Sequence, residues 1–486
     1  MSETLGQSFD DQIKSLDPAD MAYIACATIG ISVITPGIAL FYGGSLKTKS
    51  FLTFCIQSYL VTALITAQWY FFGFSFASSL TSSSVIMGDF SIAALINLNG
   101  GPLVEGATIP AIESFVFSAF FAICTVQIFL GAIAERGRLG PSLVLGFIWC
   151  TIVYCPLAYW TWDAKGWLYT LGNLDLAGGG PVHIASGVAS LAYSLYLGKR
   201  KEWTDTGKFP EYKPHSPLMT FLGSLLIYFP WLFFNSGTMT TIQTPRTLYI
   251  LANTQLAASF GLATFTILDY FMTKKWSIKS SAEGLIVGLV FVTPACGFLA
   301  PWAIVVGSTV TAIVCRLCYD FPRWTGIDDA TNSFVVHGIG GVCGSIFVGL
   351  FASPNIAALD GVTEIEGGWI FHHWKQMGYQ LAGSMSIIGW TFIITYALCF
   401  IVDHIPGLKL RVSAEIEEMG LDYYEMAEVA YPFLDKSGMP AEVSNRRDSY
   451  NDVVSFNGQQ VSGSSNTEGN HVINFNSDIK RPIETV

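Results

Sequence analysis

Long apolar runs separated by short polar loops dominate this 486-residue chain. A helix that crosses a bilayer needs about 20 predominantly apolar residues, and the pattern predicts eleven such spans. The run from 284 to 315 is too long for one crossing, and Pro294 and Pro301 divide it into two short ones. The predicted spans are 22–44, 52–78, 111–134, 142–162, 179–198, 217–239, 248–273, 283–300, 301–319, 332–352 and 379–403. The predicted fold class is an all-α polytopic membrane protein.

Composition supports a membrane protein. Only 13% of the residues are charged and 51% are hydrophobic, whereas about a quarter of a soluble domain is charged. The formal net charge of −11 also argues against a nucleic-acid partner, which calls for a basic surface.

The positions of lysine and arginine predict the orientation. Of the 25 such residues, 21 lie in the loops after spans 1, 3, 5, 7 and 9 or in the C-terminal tail. The opposite side has only Lys14, Lys165, Arg246 and Lys375. Because cytoplasmic loops carry the excess of basic residues, we expect the N-terminus outside the cell and the C-terminus inside.

Four segments follow from this topology. We expect an extracellular segment at 1–20, a transmembrane domain at 21–404 and an ordered cytoplasmic region at 405–439. Residues 440–486 are rich in Ser, Asn, Gly, Gln and Asp, a composition that favours disorder. Ser449 follows Arg446-Arg447-Asp448, a pattern that basophilic protein kinases recognise, so it is a candidate phosphorylation site in a regulatory tail.

Two histidines lie inside predicted spans. His183 in span 5 and His337 in span 10 both occur in the pattern Val-His-x-x-x-Gly, five spans apart. Five spans is an odd number, so the two halves would run in opposite directions, as in inverted repeats around a site near the midplane of the membrane. We therefore predict an inverted 5+5 repeat, with span 11 outside it.

Ionisable residues in a span mark functional sites by default, although both histidines could instead bond backbone carbonyls for structural reasons. Burial disfavours the imidazolium ion, so we expect two neutral rings that present polar edges to a small solute. Asp175 lies just outside span 5, where it either stabilises a cation or caps a helix. Common enzyme motifs are absent from the sequence, which predicts transport and not catalysis. An intramembrane hydrolase that uses Ser186 and a histidine is the third, least favoured reading.

The chain resembles the ammonium transporter / methylammonium permease / Rhesus family, and is most like the fungal ammonium permeases. The resemblance covers about 22–435. Its motifs are PGIALFYGG at 36–44, GAIAERGRL at 131–139, LDLAGGGPVHIASG at 174–187, YKPHS at 212–216, FFNSGT at 233–238, NTQLAAS at 253–259, TPACGF at 293–298, IDDATNSFVVHGIGG at 327–341 and LRVSAEIEEMGLD at 410–422.

The resemblance implies a role for each candidate residue. Trp162, Thr238 and Phe121 match an outer site that recruits ammonium, and Asp175 matches its supporting acid. Phe121 also matches, together with Phe234, a stacked gate. His183 and His337 match the twin histidines of a hydrophobic pore. The resemblance also implies a homotrimer in the plasma membrane, ammonium or methylammonium as substrate, and no cofactor or metal.

The implied function is electrogenic ammonium uptake. The protein would capture NH4+, remove a proton near the gate, and pass NH3 through the pore while the proton follows a separate polar route. The sequence departs from the family pattern at Phe117-Ser118-Ala119, at Thr238-Met239-Thr240 and at Asn332, which replaces an acidic residue. These departures leave a second reading open, a slow or non-conducting ammonium sensor that signals through the cytoplasmic tail.

Overall fold

A computed structural model describes residues 14–98, 100–104, 106–210 and 213–431. The chain divides into two units, Met1–Ala430 and Tyr431–Val486, and every helix described below belongs to the first. The regular structure of the described residues is helical, with one isolated bridge between Gly137 and Arg411. Ser449 and the predicted tail at 440–486 lie outside the described residues.

The main helices follow the predicted spans in order. They are α1 (Pro18–Ser45), α2 (Thr48–Ala77), α3 (Ala111–Ile133), α4 (Leu139–Leu171), α5 (Gly179–Ile184 continued by Ala185–Leu197), α6 (Pro217–Met239), α7 (Pro245–Thr273), α8 (Ile278–Val292), α9 (Pro301–Thr325), α10 (Phe334–Phe351) and α11 (Lys375–His404).

Nine of these helices are long and apolar enough to cross a membrane, within the part of the chain that the structure describes. The other two are α5, whose apolar character is diluted by glycines, serines and a histidine, and α8, which has only 15 residues. Both lie where the sequence predicts a span. The count of eleven spans, the repeat and the orientation therefore remain predictions.

Proline and short polar side chains define where several helices begin. Asp17 caps α1, since its Oδ1 accepts the backbone N–H of Ala19 at 2.8 Å, and Pro18 follows at the first helical position. Ser216 caps α6 in the same way, before Pro217. A proline at the first position loses no helical hydrogen bond, because that N–H has no partner within the helix.

The predicted break in the long apolar run is confirmed. α8 ends at Val292, Pro294 follows in a stretch of turns, and α9 begins at Pro301. Proline has no N–H to donate and fixes its own φ angle, which favours a break between the two helices at this point. The break frees the Thr293 side chain to face the interior.

α5 and α10 cross through small residues. Each begins with a π-helical turn that contains its histidine, Gly179–Ile184 in α5 and Phe334–Ile339 in α10. A Cβ at Gly187 would collide with the backbone of Gly338, and one at Gly341 would lie 2.9 Å from the carbonyl oxygen of Gly179. The contacts are reciprocal, because the glycine four residues after each histidine meets the histidine-bearing turn of the other helix. This symmetry supports the predicted repeat.

The segment after α11 packs against one end of the bundle. It forms two short helices, α12 (Ala414–Met419) and α13 (Leu421–Met426). Asp422 accepts hydrogen bonds from the backbone N–H groups of Leu52 and Thr53, at 2.9 and 2.8 Å. The predicted ordered cytoplasmic region at 405–439 stays a prediction, and its residues 432–439 lie outside the described residues.

Candidate functional site

A vestibule of about 590 Å³ opens at the end of the bundle that the sequence predicts to be extracellular. Trp162, Thr238 and Phe121 all line it, so the structure brings three of the predicted recruitment residues together. The Thr238 hydroxyl donates to the carbonyl oxygen of Asn235 at 2.7 Å, which leaves its oxygen able to accept a bond from a ligand. An aromatic face and a hydroxyl oxygen together suit a small cation.

Two stacked phenylalanine rings close the floor of this vestibule. The ring centroids of Phe121 and Phe234 lie 4.0 Å apart with 26° between the planes. The rings of Trp162 and Phe121 form a T-shaped contact with centroids 6.0 Å apart. The rings of Phe117 and Phe121 form another, with centroids 5.2 Å apart. Phe121 lines the vestibule and Phe234 lines a second cavity. The pair therefore separates the two spaces, as a gate would.

The second cavity is small and apolar. Its volume is about 20 Å³, which accommodates about one molecule the size of water. His183 and His337 both line it. The lining residues are Ile34, Ile38, Phe41, Tyr42, Cys124, Ile128, Val182, His183, Ile227, Trp231, Phe234, Ile286 and His337.

The two histidines contact each other directly. Their Nδ1 atoms lie 3.3 Å apart and their rings are 5.4 Å apart at 26°. Both residues are buried, with exposed fractions of 1% and 6%. When two imidazoles form one hydrogen bond, only one of the two facing nitrogens carries a proton. One ring therefore donates and the other accepts.

Thr293 determines which ring donates. Its hydroxyl donates to the carbonyl oxygen of Leu289 at 2.8 Å, so its oxygen acts as an acceptor toward His183 Nε2 at 3.3 Å. His183 therefore carries its proton on Nε2, and its bare Nδ1 accepts from Nδ1–H of His337. This leaves Nε2 of His337 as an acceptor at the cavity wall.

Trp231 supports the same ring from another side. It stacks on His183 with centroids 5.1 Å apart and 18° between the planes, and its Nε1–H donates to Thr293 at 3.0 Å. Neither Trp231 nor Thr293 was among the predicted site residues. Thr293 falls in the apolar run broken by proline, and composition gives no sign that its hydroxyl faces a histidine.

Asp175 caps the first turn of α5. Its carboxylate accepts the backbone N–H groups of Gly178, Gly179 and Gly180, at 2.8, 2.8 and 2.6 Å, and Trp162 Nε1–H donates to its carbonyl oxygen at 3.2 Å. The geometry favours the cap over direct contact with a cation. Asp175 thus acts on the vestibule through the position of Trp162.

Asp329 occupies the matching position in α10, eight residues before His337 as Asp175 is before His183. Its Oδ2 accepts the backbone N–H of Phe334 at 2.8 Å, and its Oδ1 accepts from the Ser190 hydroxyl of α5 at 3.3 Å. Burial raises the pKa of both carboxyls, against the lowering effect of their N–H donors. This second Asp-x7-His spacing is visible in the sequence, but Asp329 was not among the predicted site residues.

The residues that depart from the family pattern occupy different surroundings. Ser118 lines the vestibule and accepts Trp69 Nε1–H at 3.3 Å. Met239 packs against a separate apolar cluster around Ile250. Asn332 adopts a left-handed backbone conformation, with φ of 51°.

Ser186 does not form a catalytic pair with a histidine. Its hydroxyl donates to the backbone carbonyl oxygen of His183 at 3.3 Å, and the imidazole nitrogens bond Thr293 and each other. A nucleophilic serine needs its hydroxyl within hydrogen-bond reach of a base. The geometry therefore gives the hydrolase reading no support.

Comparison with known proteins identifies the family. The sequence model of the Ammonium Transporter Family matches residues 22–431. The chain belongs to the Ammonium Transporter Family. Ammonium transporter 3 of Schizosaccharomyces pombe is 46% identical over 453 residues, which cover 84% of this chain and 87% of that protein. Ammonium transporter MEP2 of Saccharomyces cerevisiae is 40% identical, with 88% and 86% covered.

A solved structure of this family has the same fold. The crystal structure of Candida albicans Mep2 superposes with a TM-score of 0.79 at 39% identity, covering 85% of this chain and 89% of that one. The predicted family is thus confirmed, and with it a helical membrane protein whose relatives are named as transporters. In this member of the family, the vestibule, the stacked rings and the histidine-lined cavity follow one another in that order.

Proposed function

We propose that this protein carries ammonium into the cell across the plasma membrane. The observation that carries the proposal is the order of its parts: a cation-suited vestibule, an aromatic gate, and an apolar cavity with two hydrogen-bonded histidines. The names of its relatives support ammonium as the substrate. Methylammonium, one methyl group larger, is the expected analogue.

The cavity favours ammonia over hydrated metal ions. An ion that enters an apolar passage must lose its hydration, and the energetic cost of an unpaired charge there is high. Ammonium can release a proton at the gate and continue as neutral NH3, whereas sodium and potassium cannot. The proton would then follow the polar edge formed by His183 and His337, which makes the net uptake electrogenic.

The proposed assembly is a homotrimer with one pore in each subunit, N-terminus outside and C-terminus in the cytoplasm. This follows the family resemblance and the distribution of basic residues. A protein kinase acting on Ser449 is the proposed regulator.

Ammonium-evoked current tests the transport proposal. In oocytes that express the wild type, we expect an inward current that saturates with ammonium. His183→Ala/His337→Ala should abolish or strongly alter this current, because it removes the polar edge of the cavity. Surface labelling of both proteins controls for expression. Silence from a correctly localised wild type contradicts transport.

The same measurement separates the sensor alternative. The stacked gate is closed in this structure, an arrangement that a non-conducting sensor would also show. A sensor would bind ammonium, detected as a rise in melting temperature, without carrying current.

A further inference from the structure

The vestibule is far larger than the ion that it is proposed to recruit. Its volume is about 590 Å³, whereas the histidine-lined cavity below the gate has only about 20 Å³, room for about one molecule the size of water. Ammonium is itself close to water in size. Pockets that hold organic molecules measure about 300–1,000 Å³, so the vestibule has the dimensions of a site for an organic ligand.

Aromatic side chains from three helices form much of the vestibule wall. The rings of Trp69 in α2 and Tyr154 in α4 pack together with centroids 5.9 Å apart. Aromatic faces both attract cations and bury apolar groups. The six aromatic residues of the lining are Trp69, Phe117, Phe121, Tyr154, Trp162 and Tyr169.

Aliphatic side chains complete one side of the vestibule. Leu80 and Val104, both from the segment between α2 and α3, line it although they are 43% and 61% exposed. Exposed apolar side chains that gather at one cavity are typical of ligand-binding grooves. An ammonium ion has no apolar part to place against them, whereas an organic amine has.

A carboxylate in the lining favours a cationic ligand. Asp163 follows Trp162 directly and lines the vestibule. Its Oδ1 accepts the backbone N–H of Lys165 at 2.9 Å, which fixes the position of the carboxylate. Lys165 also lines the vestibule, but its ammonium group donates to the carbonyl oxygen of Ser82 at 2.8 Å. The lysine is thus bonded to the loop, and the carboxylate can attract a second cation.

We propose that the vestibule is a binding site for organic primary ammonium ions, which block the protein and do not pass through it. The –NH3⁺ head would take the place of ammonium at Trp162 and Thr238, near the charge of Asp163. The organic tail would lie against Leu80, Val104 and Tyr169. The inference rests on the proposed function only in that the head group occupies the proposed recruitment site.

The gate and the cavity below it exclude such a ligand from the pore. The stacked rings of Phe121 and Phe234 close the floor, with centroids 4.0 Å apart. A phenyl or butyl group does not fit the space of about 20 Å³ beyond them. An organic amine therefore competes with ammonium for the vestibule and goes no further.

Inhibition of the ammonium current by 2-phenylethylammonium tests the proposal in oocytes that express the full-length protein. This amine is protonated at neutral pH, and 2-phenylethanol is its neutral analogue. The amine should raise the half-saturating ammonium concentration and leave the maximal current unchanged, because the two ligands compete. The alcohol should be at least about tenfold weaker, since it lacks the charge that aromatic faces and a carboxylate attract. Equal inhibition by both compounds, or uptake of the radiolabelled amine, overturns the proposal.

Val104→Ser tests the position of the tail. It should weaken the inhibition about threefold, because it removes apolar contact area, and leave the half-saturating ammonium concentration within about twofold. Val362→Ser is the matched control, since Val362 is an 83% exposed valine between α10 and α11. Its inhibition constant should equal that of the wild type. Equal constants in the two variants overturn the proposal.

Asp163→Asn tests the charge. It should weaken the inhibition about threefold at low ionic strength, and the difference from the wild type should shrink in high salt because salt screens exposed charges. Glu366→Gln is the control, since the Glu366 side chain is 80% exposed and pairs with His373 at 3.2 Å. A constant in Asp163→Asn equal to that in Glu366→Gln contradicts the proposal.

Calorimetric titration of the purified protein separates this inference from transport. The wild type should bind 2-phenylethylammonium, Val104→Ser should bind it about threefold more weakly, and 2-phenylethanol should bind at least about tenfold more weakly. A wild type that carries no current but binds the amine in this order refutes transport and supports the vestibule site. A wild type that carries current and does not bind the amine refutes the vestibule site alone.

Discussion

At the scale of single residues, the orientation of His183 depends on groups that carry no charge. Thr293 accepts its Nε2–H, Trp231 stacks on its face, and His337 meets its other nitrogen. A neutral imidazole can present its acceptor or its donor to a passing molecule, and the partner of the opposite nitrogen decides which. Thr293 is thus a positioning residue for the pore.

Thr293→Val should reduce the ammonium current about tenfold. The variant keeps the volume but removes the acceptor, which leaves two buried N–H groups without a partner at a cost of about 1–3 kcal/mol each. Thr293→Ser should retain most of the current because it keeps the oxygen. The change should also alter the pH profile of the current, which a purely structural defect would leave unaltered. An unchanged current and pH profile in Thr293→Val would show that His183 needs no such support.

At the scale of helices, the close crossing of α5 and α10 places the histidines in contact. Both helices begin with a π-helical turn, a rare geometry that is frequent at functional sites. Glycines at the crossing let the two backbones approach, as small residues do between membrane helices.

Gly187→Ala should destabilise the protein by about 1–3 kcal/mol, the usual cost of overpacking. The added methyl group would collide with the backbone of Gly338, which has no flexible side chain to move. Gly389→Ala is the control, since a Cβ at Gly389 of α11 meets nothing within 4 Å. Thermal unfolding in detergent compares the two. Equal melting temperatures would mean that the crossing tolerates a wider separation.

Sequence patterns identified most helices and the main candidates, but not their arrangement. The two histidines could be identified as candidates because ionisable residues are rare in apolar runs. The break near Pro294 could be predicted because proline disfavours a continuous helix. Thr293 could not be identified, because the sequence does not show that the side chain of a threonine in an apolar run faces His183. Asp329 could have been found from its spacing to His337, which equals that of Asp175 to His183, and the fold adds that it bonds the first turn of α10.

At the scale of the whole molecule, an ion pair connects two segments that are distant in the sequence. Arg246 at the start of α7 meets Asp360, which lies between α10 and α11, with Nη1 at 2.7 Å from Oδ2. Burial alone would raise the pKa of Asp360, but hydrogen bonds from Thr363, Val362 and Arg246 outweigh it and lower the pKa to about 2. The ordinary value for an aspartate is about 3.9.

The Asp360 carboxylate, held by hydrogen bonds from Thr363, Val362 and Arg246, should stabilise the protein at neutral pH and lose its effect in strong acid. Because the folded pKa lies below the unfolded one, the contribution is complete above about pH 5 and disappears as the pH falls toward 2. The difference in melting temperature between wild type and Asp360→Asn should stay constant from pH 7 to about 5 and vanish near pH 2. A difference independent of pH down to 2 would contradict this.

The cap that Asp422 places on α2 has a consequence for the order in which the protein is made. Leu52 and Thr53 leave the ribosome early, while the carboxylate that bonds their amides follows some 370 residues later. During synthesis, water at the membrane surface must satisfy those amides in its place. The amides at the start of α2 therefore gain their carboxylate partner only after residue 422 has been synthesised. A nascent chain that ends before residue 422 lacks this cap on its second helix.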